Sequence, residues 1–270
     1  MRTPILVLLT LPAFVATPVA ADIPAATGSS ASQPQKRDYD VVLEVGAGAA
    51  WRPAYEGASD YQVSPVPIIT LHYLWLPGLG EVKSRTLPRD GFSFGPSFRY
   101  VRQRNSGDYS ELTGLQNVDA AFEFGGRLAY TFGMLRAHAS IRRGIGGHEG
   151  LVGEAGLDLT LNPDAATEIT FGPRISYADA AYLGTYLGVT PAESLTSGLP
   201  AYDPPGGIKG AGAEFGSRYA FTPQWSLLGA LTYERLVGAA AGSPIAQAGD
   251  LDQFTARLGL SYRFGLNLFR

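Results

Sequence analysis

The sequence contains no cysteine and carries little charge. Without cysteine, the chain cannot be a disulfide-stapled module or hold a metal ion on thiolates. Only 17% of the residues are charged and the formal net charge is -3, which leaves no strongly basic face for nucleic acid. This scarcity of charge does not predict disorder, because 45% of the residues are hydrophobic.

Long apolar helices are also lacking. The stretch Tyr61–Gly80 has no formal charge, but Pro65, Pro67 and Pro77 interrupt it, so it is not expected to form a membrane-spanning helix. The apolar run Ile5–Val15 is too short to span a bilayer. A membrane role would therefore have to rest on strands.

The N-terminal residues have the pattern of an export signal. Arg2 supplies a positive charge, an apolar core follows, and Val19–Ala21 provides small residues for cleavage, which predicts a signal peptide over residues 1–21. Residues 22–37 are rich in Ala, Ser, Pro and Gln and are predicted to form a flexible periplasmic tail. The folded body is then expected over residues 38–270.

Glycine and aromatic residues are abundant, with 34 Gly, 13 Phe, 14 Tyr and 3 Trp, and they alternate along the chain. From Tyr39 to Trp51, apolar residues occupy the odd positions, while Asp40 and Glu44 occupy even ones. Successive strand side chains point to opposite faces, so this pattern predicts a strand with one apolar and one polar face. Similar patterns predict ten strands: Tyr39–Trp51, Pro65–Trp75, Phe92–Arg104, Val118–Phe132, Leu135–Arg143, Leu151–Leu161, Thr167–Tyr177, Gly207–Phe221, Trp225–Val237 and Phe254–Phe264.

The lengths of the strands and connectors favour an all-β, transmembrane, antiparallel up-and-down β-barrel. Most strands exceed the ~5–6 residues typical of soluble sheets and suit the ~9–11 needed to cross a bilayer. Long outer connectors (52–64, 105–117, 144–150, 178–206, 238–250) alternate with short periplasmic ones (133–134, 162–166, 222–224). Leu76–Gly91 is a long connector on the short side and could hide a hairpin around Glu81–Arg85, which makes twelve strands the alternative count.

Two residue distributions support the barrel. The apolar-face aromatics form a girdle near each end of the strands, as outer-membrane barrels have; one girdle lies near the periplasm and the other, with Trp51, Tyr100, Tyr177 and Tyr233, lies at the outer ends. The cations assigned to the apolar face fall at the outer rim, where a charge costs little, and they could bind lipopolysaccharide phosphates: Arg102, Arg143, Lys209 and Arg235. Localisation in the outer membrane of a Gram-negative bacterium is therefore expected.

The polar face predicts a lumen filled by charge pairs. It carries nine carboxylates, Asp40, Glu44, Asp119, Glu123, Glu154, Asp158, Glu168, Glu214 and Glu234. It also carries eight arginines, Arg99, Arg127, Arg136, Arg142, Arg174, Arg218, Arg257 and Arg263. Isolated charges are costly in such a narrow interior, so these groups should pair and plug the barrel. Glycines at lumen-facing positions would leave room for them.

The sequence offers few combinations of residues that are typical of an active site. His148 and Glu149, with Asp108, Asp179 and Asp203, could be placed at an outer rim, but their spacing is unspecific and typical of solvated loops. His72 and His138 have lumen parity, which disfavours a lipid-facing hydrolase. The sequence has no metal-spaced histidine cluster and no phosphate-binding glycine loop. We expect no enzymatic activity, no cofactor and no metal site.

Several loop segments resemble the MipA/OmpV family. The first loop around Trp51–Tyr61, Gly147–Gly150, the block from Tyr186 to Tyr202, Ser243–Ile245 and the closing Gly259–Phe264 are similar to the family pattern. The loop positions that carry this resemblance are Pro53, Tyr55, Gly57, Asp60, Tyr61, Gly147, His148, Gly150, Tyr186, Gly188, Thr190, Pro191, Ser197, Gly198, Tyr202, Ser243 and Pro244. Leu76–Gly91 matches poorly, and Gly265–Arg270 extends past the usual ending.

The resemblance implies a non-enzymatic outer-membrane barrel. It further implies a scaffold like the best-known members of the family, which hold a lytic murein transglycosylase beside a bifunctional penicillin-binding protein. A scaffold must present surface to the periplasm, for which the candidates are residues 22–37, Leu76–Gly91 and Gly265–Arg270.

The competing functions are a small-solute channel and a surface adhesin, which would use the long Ala178–Gly206 connector. Within that connector, Thr190, Pro191 and Glu193 predict the start of a short helix. We expect the connector to fold over the barrel mouth as a lid.

Overall fold

The computed structural model describes residues 39–77, 80–82 and 90–269. The predicted signal peptide (1–21) and tail (22–37) lie outside these residues, as does most of the connector between 78 and 89. The described chain forms strands β1 (Val41–Pro53), β2 (Tyr61–Leu76), β3 (Gly80–Val82), β4 (Gly91–Val101), β5 (Ala121–Phe132), β6 (Leu135–Gly146), β7 (Leu151–Leu161), β8 (Thr167–Ala178), β9 (Gly207–Ala220), β10 (Trp225–Leu236) and β11 (Asp252–Leu266).

Ten of these strands have 11 to 16 residues, which confirms the predicted ten long strands. The remaining strand, β3, has three residues and pairs with the end of β2 through Leu74 and Val82. It falls in the connector where the sequence allowed a further hairpin, and the rest of that hairpin lies outside the described residues.

All the strands belong to one antiparallel sheet, in the order β3-β2-β1-β11-β10-β9-β8-β7-β6-β5-β4. The first and last long strands pair, with Val45 opposite Tyr262, so the sheet curls back on itself. Among the described residues, β3 and β4 form the two edges of the hydrogen-bonded ladder. The edges approach at the outer rim, where Arg102 Nη1, just after β4, donates to Gln62 Oε1 of β2 at 2.8 Å.

The alternation of side chains is inverted relative to a soluble protein. Large apolar side chains point outward, with Phe94 81% and Leu258 60% exposed, whereas Glu44 and Glu123 point inward and are each 1% exposed. Aromatic pairs lie toward both ends of the wall, among them Trp225 with Tyr262 near the short turns. An apolar outer wall with aromatic ends and a charged interior is the arrangement of a barrel whose surrounding solvent is lipid.

The connectors alternate in length as predicted. Residues 133–134, 162–166 and 221–224 link strands at the inner end, and residues 54–60, 102–120, 147–150, 179–206 and 237–251 link them at the outer end. The outer connectors contain two 3₁₀ turns and helices α1 (Ala180–Leu187), α2 (Pro191–Ser197), α3 (Gly238–Ala241) and α4 (Pro244–Ala248). In the described part of the chain, no helix has the length and apolar character needed to cross a membrane.

The C-terminal residues are fixed to the start of β1. The buried Asp40 carboxylate accepts hydrogen bonds from the backbone N–H groups of Leu268 and Phe269, both at 2.9 Å. The Phe269 ring meets Trp75 edge to face, with ring centroids 6.0 Å apart. The segment beyond the closing strand therefore packs against the inner end of the barrel.

Candidate functional site

The outer connectors fold together into a cap over the barrel mouth. Its hydrophobic core draws on four of the five outer connectors, 54–60, 102–120, 179–206 and 237–251, and Leu112, Leu183, Leu187 and Ile245 within it are fully buried. Such a core is unusual in loops, which normally run over the surface. The lid predicted for the 178–206 connector is confirmed, and the other outer loops take part in it.

Helices α1 and α2 each begin at a residue whose side chain caps the first turn. Asp179 accepts from the Tyr182 N–H at 2.9 Å and starts α1. Thr190 and Glu193 form a reciprocal capping box at the start of α2, with Pro191 in the first turn. Gly198 ends α2 with φ of 75°, a conformation that glycine adopts without steric cost. The predicted helix start at Thr190 is thus confirmed.

The loop positions that carried the family resemblance meet in this cap. Tyr55 donates to Glu111 at 2.7 Å, Tyr202 donates to the Ala239 carbonyl at 2.8 Å, and Ser243 donates to the Leu187 carbonyl at 2.6 Å. The other positions have contacts in the cap or at its edge. Pro53 pairs with Tyr61 in the β1–β2 ladder, Asp60 accepts from the Ala54 N–H, Ser197 donates to the Glu193 carbonyl, and Pro244 starts α4. The glycines lie close to neighbouring residues: Gly57 to Ala246, Gly147 to Asp119, Gly150 to Tyr182 and Gly188 to Gly184. These motifs encode the packing of the cap.

His148 lies inside the cap and is 2% exposed. Its ring meets Tyr182 and Tyr186 edge to face at 5.0 and 5.5 Å, and its Nε2 lies 3.3 Å from Glu123 Oε1. The acidic residues considered with it do not join it as a catalytic group: Glu149 and Asp203 are exposed, Asp108 accepts from Asn105, and Asp179 caps α1. This histidine connects the cap to the lumen.

Lys209 is not on the lipid-facing rim, so that prediction is wrong. The residue is 6% exposed, and its Nζ lies 2.8 Å from Glu56 Oε1 and 3.8 Å from Glu234 Oε1. The cause is a β-bulge: Ser176 pairs with Gly210 and Tyr177 pairs with Ile208, so Lys209 is the extra residue. A bulge shifts the alternation by one residue and turns this lysine inward.

The three other predicted rim cations do lie on the outside. Arg102, Arg143 and Arg235 are exposed. Arg235 is paired with Asp252 at 2.6 Å, and Arg102 contacts Gln62 and Ser64 of β2. Arg143 is left with no hydrogen bond or ion pair to another described residue. It is therefore the cation best placed to meet an anion from the membrane.

Glu56, Lys209 and Tyr182 link the first loop to the barrel wall and to α1. Tyr182 donates to Glu56 Oε2 at 2.6 Å, so Glu56 receives both a hydroxyl and an ammonium group. Burial alone would raise the pKa of Glu56, but Lys209 and the Tyr182 hydroxyl outweigh it, and the pKa is lowered. Burial and the Glu56 charge raise the pKa of Tyr182 well above its ordinary value. The three groups that join the first loop to β9 and α1 are therefore a carboxylate, an ammonium and a neutral phenol.

Beneath the cap, ion pairs cross the lumen. Arg142 donates from Nε to Glu123 Oε2 at 3.0 Å and from Nη2 to Glu154 Oε1 at 2.7 Å, and Arg99 reaches both carboxylates at 2.8 and 3.2 Å. Four strands, β4 to β7, supply these groups. Small residues make space for such long side chains: at Gly156 a Cβ would lie 2.7 Å from both Arg174 Nη1 and His138 Nε2.

A second ionic cluster surrounds Glu44 in the inner half of the lumen. Glu44 lies 2.8 Å from Arg218 Nη2, 2.7 Å from His72 Nε2 and 3.5 Å from Arg263, and it accepts from Ser261 at 2.5 Å. A third group joins Arg174 to Asp158 and Glu214, with Arg257 2.9 Å from Glu214. His72 and His138 face the lumen as predicted, since each lies beside one of these carboxylates.

The prediction that the lumen charges pair holds for six of the eight arginines. Arg127 and Arg136 form no ion pair within the described residues. On the acidic side, Asp40 binds backbone N–H groups, and Asp119 is exposed in an outer loop before β5 instead of facing the lumen. Parity alone assigned Asp119 inward, but β5 starts two residues later, at Ala121. No group of three or more His, Asp or Glu suited to a metal ion occurs in the described ranges.

Comparisons with known proteins give one family match and a set of similar folds. The chain matches the family model described as MltA-interacting protein MipA over residues 45–264. No curated protein matches. Among solved structures, the chain is similar to the outer membrane protein OprG from Pseudomonas aeruginosa, with 12% identity, TM-score 0.31 and coverage of 84% of this chain and 97% of that one. It is also similar to the N-terminal β-barrel domain of Pseudomonas aeruginosa OprF, with 9% identity, TM-score 0.28 and coverage of 84% of this chain and 98% of that one.

The family match runs from within β1 to within β11 and includes every loop of the cap. It agrees with the lipid-facing wall, the ten long strands and the alternation of short inner and long outer connectors. Together these observations identify an outer-membrane β-barrel of a Gram-negative cell, and the chain belongs to the MipA family.

Proposed function

We propose that this outer-membrane barrel is a non-enzymatic scaffold for peptidoglycan remodelling, which holds a lytic murein transglycosylase beside a penicillin-binding protein at its periplasmic end. The observation that carries the proposal is the sealed outer mouth, together with the ion pairs that cross the lumen beneath it. A barrel closed in this way is poorly suited to diffusion. The family is also described by its interaction with MltA, which favours a protein partner.

The inner end offers exposed apolar side chains for such a partner. Met134 in the β5–β6 turn is 61% exposed and Phe132 beside it is 67% exposed. At the opposite end, Leu195 on the top of the cap is 90% exposed and is a matched apolar residue that a periplasmic partner cannot reach.

Retention on immobilised mature protein tests the scaffold. We expect a purified lytic transglycosylase to be retained, Met134→Glu to weaken retention, and Leu195→Glu to leave it unchanged. Deletion of residues 77–89 tests the connector in the same assay. Absence of retention by the unaltered protein, or equal loss in the two point variants, would contradict the proposal. Planar-bilayer recording tests the channel alternative, for which we expect no large steady conductance.

Lipopolysaccharide is the proposed lipid partner, and Arg143 is its main contact. A groove of about 610 Å³ on the outer wall is floored by small residues such as Gly153 and Ala155 and flanked by Ile141 and Tyr177. Arg143 is two residues beyond Ile141 on β6, so its cation stands at the outer end of this apolar groove. An acyl chain in the groove with a phosphate on Arg143 would match both features.

Co-purification tests this contact. A variant with Arg102, Arg143 and Arg235 replaced by Ser should carry less lipopolysaccharide than the unaltered protein, and Arg143→Ser should account for most of the loss. An unchanged amount of co-purified lipopolysaccharide in the triple variant would contradict the proposed contact.

A further inference from the structure

The inner face of the β5–β6 hairpin carries four polar side chains with unused hydrogen-bonding atoms. Arg127 and Thr131 lie on β5, and Arg136 and His138 lie on β6. Arg127 Nε, Thr131 Oγ1 and Arg136 Nε are shielded from solvent and have no hydrogen-bond partner, and His138 Nε2 has only Asp158 Oδ2 near it, at 3.4 Å and outside hydrogen-bond geometry. Buried polar atoms are nearly always paired, so a cluster of four on one hairpin needs an explanation.

Charge on this wall is also unbalanced. Asp158 stands opposite Arg136 in the β6–β7 ladder, but its carboxylate is engaged by Arg174 at 2.5 Å and lies 3.4 Å from His138. The other six lumen arginines each have a carboxylate within 3.5 Å. Arg127 and Arg136 have none among the described residues. Two guanidinium groups on one hairpin are thus left without a carboxylate at ion-pair distance in the described structure.

The four groups have one chemistry in common, because each can donate a hydrogen bond. Two guanidinium groups, a hydroxyl and an imidazole with its proton on Nε2 match the oxygens of a phosphate or carboxylate. Arg127 and Arg136 are only half-buried, so part of each side chain is open to solvent. Arg136 comes one residue after the start of β6, next to the inner turn Gly133–Met134, which places the group toward the periplasmic mouth.

We propose that Arg127, Thr131, Arg136 and His138 form a binding site for the oxyanion group of a small phosphorylated or carboxylated solute that enters the lumen from the periplasm. The site lies on the strands and is separate from any protein contact at the turns. It therefore stands or falls independently of the scaffold role.

Titration of the folded mature protein in detergent tests the site. Inorganic phosphate and succinate are added in separate arms, each against sodium chloride at equal ionic strength, and binding is followed by calorimetry and by the midpoint of thermal unfolding. We expect at least one oxyanion to bind and to raise the midpoint, while chloride does not. Binding of phosphate alone would assign the site to phosphorylated solutes, and binding of succinate alone to carboxylated ones.

Variants locate the binding. Arg127→Gln with Arg136→Gln should weaken oxyanion binding by more than about tenfold, because both charge-assisted hydrogen bonds to the oxyanion are lost. Arg235→Gln removes one cation from the outer wall and should leave binding unchanged. Arg127→Lys with Arg136→Lys retains the charge and covers the case in which the Gln variant fails to fold; it should weaken binding through loss of the guanidinium geometry. No oxyanion binding, or equal binding in the Gln variant, would overturn the proposal.

Discussion

The outer end and the inner half of the barrel are filled by different kinds of side chain. At the outer end, loops form a hydrophobic core, and the buried pair of Glu56 and Lys209 is completed by Tyr182. In the inner half, charged side chains of the strands fill the lumen, and Arg127 and Arg136 form no ion pair within the described residues. The outer end is thus closed by apolar packing of loops, whereas the inner half is lined by charged groups that are only partly paired.

The largest effect is expected from Glu44→Gln, which attacks the inner half. Glu44 is 1% exposed and is the carboxylate for Arg218, itself 5% exposed. Removing its charge leaves a buried guanidinium unpaired, which costs about 3–5 kcal/mol. Urea unfolding in detergent, followed by circular dichroism, measures the loss.

Glu214→Gln is the matched control for that substitution. The Glu214 side chain is 29% exposed; of its two partners, Arg174 keeps Asp158, and Arg257 is 31% exposed and open to solvent. We expect a clearly smaller loss of unfolding free energy. Equal losses in the two variants would mean that burial of the ion pair is not what makes Glu44 important.

Leu187→Ala should break the outer closure while leaving the barrel intact. Leu187 is fully buried in the cap core, and a leucine-to-alanine cavity costs about 2–5 kcal/mol. Amide hydrogen exchange should rise across residues 180–206 with little change in the strands. Leu195→Ala, at a 90% exposed position, should change nothing. Unaltered protection in Leu187→Ala would show that the hydrophobic core does not hold the cap.

This contrast between the ends was only partly foreseeable from the sequence. Side-chain alternation is a local property of strands, so the period of two gave the inward arginines and outward aromatics correctly. Capping residues are equally local, and Thr190 and Glu193 marked the start of α2. The orientation of Lys209 was predicted wrongly because a β-bulge reverses the alternation there, and the residue types around it did not indicate the bulge.

Pairings across the lumen could not be predicted at all. Glu44 meets Arg218 on a strand 174 positions away, and Arg99 meets Glu154 across three strands. Such contacts depend on the tilt and stagger of the strands, which a face assignment does not contain. The cap core was hidden for a similar reason: its leucines and tyrosines lie in loops without periodicity and become a core only when the loops assemble.

Thr190→Ala tests a smaller contribution to the outer closure. The substitution removes the Thr190 hydroxyl from the capping box of α2, which should cost about 1 kcal/mol. Thr185→Ala is the control, because the Thr185 hydroxyl in α1 only donates to the Ala181 carbonyl at an exposed position. Hydrogen exchange of residues 190–198 should increase in the first variant and not in the second. The same increase of hydrogen exchange in both variants would mean that the capping box does not stabilise α2.

The smallest expected effect is a loosening of the cap at acid pH, which the inner half should not share. Burial alone would raise the pKa of Glu193, but hydrogen bonds from the backbone N–H groups of Gln116 and Thr190 and from the Thr190 hydroxyl lower it below the ordinary 4.5. A carboxylate with a lowered pKa contributes stability above its unfolded value, and that contribution is lost as the pH falls through the folded value. The rate of proteolysis within residues 180–206 should therefore rise as the pH drops below about 4.5. Glu193→Gln keeps an acceptor for the Thr190 N–H but cannot titrate, so its profile should be flatter. An identical pH profile in the two proteins would assign the acid sensitivity to another carboxylate, for which Glu56 is the next candidate because its pKa is also lowered.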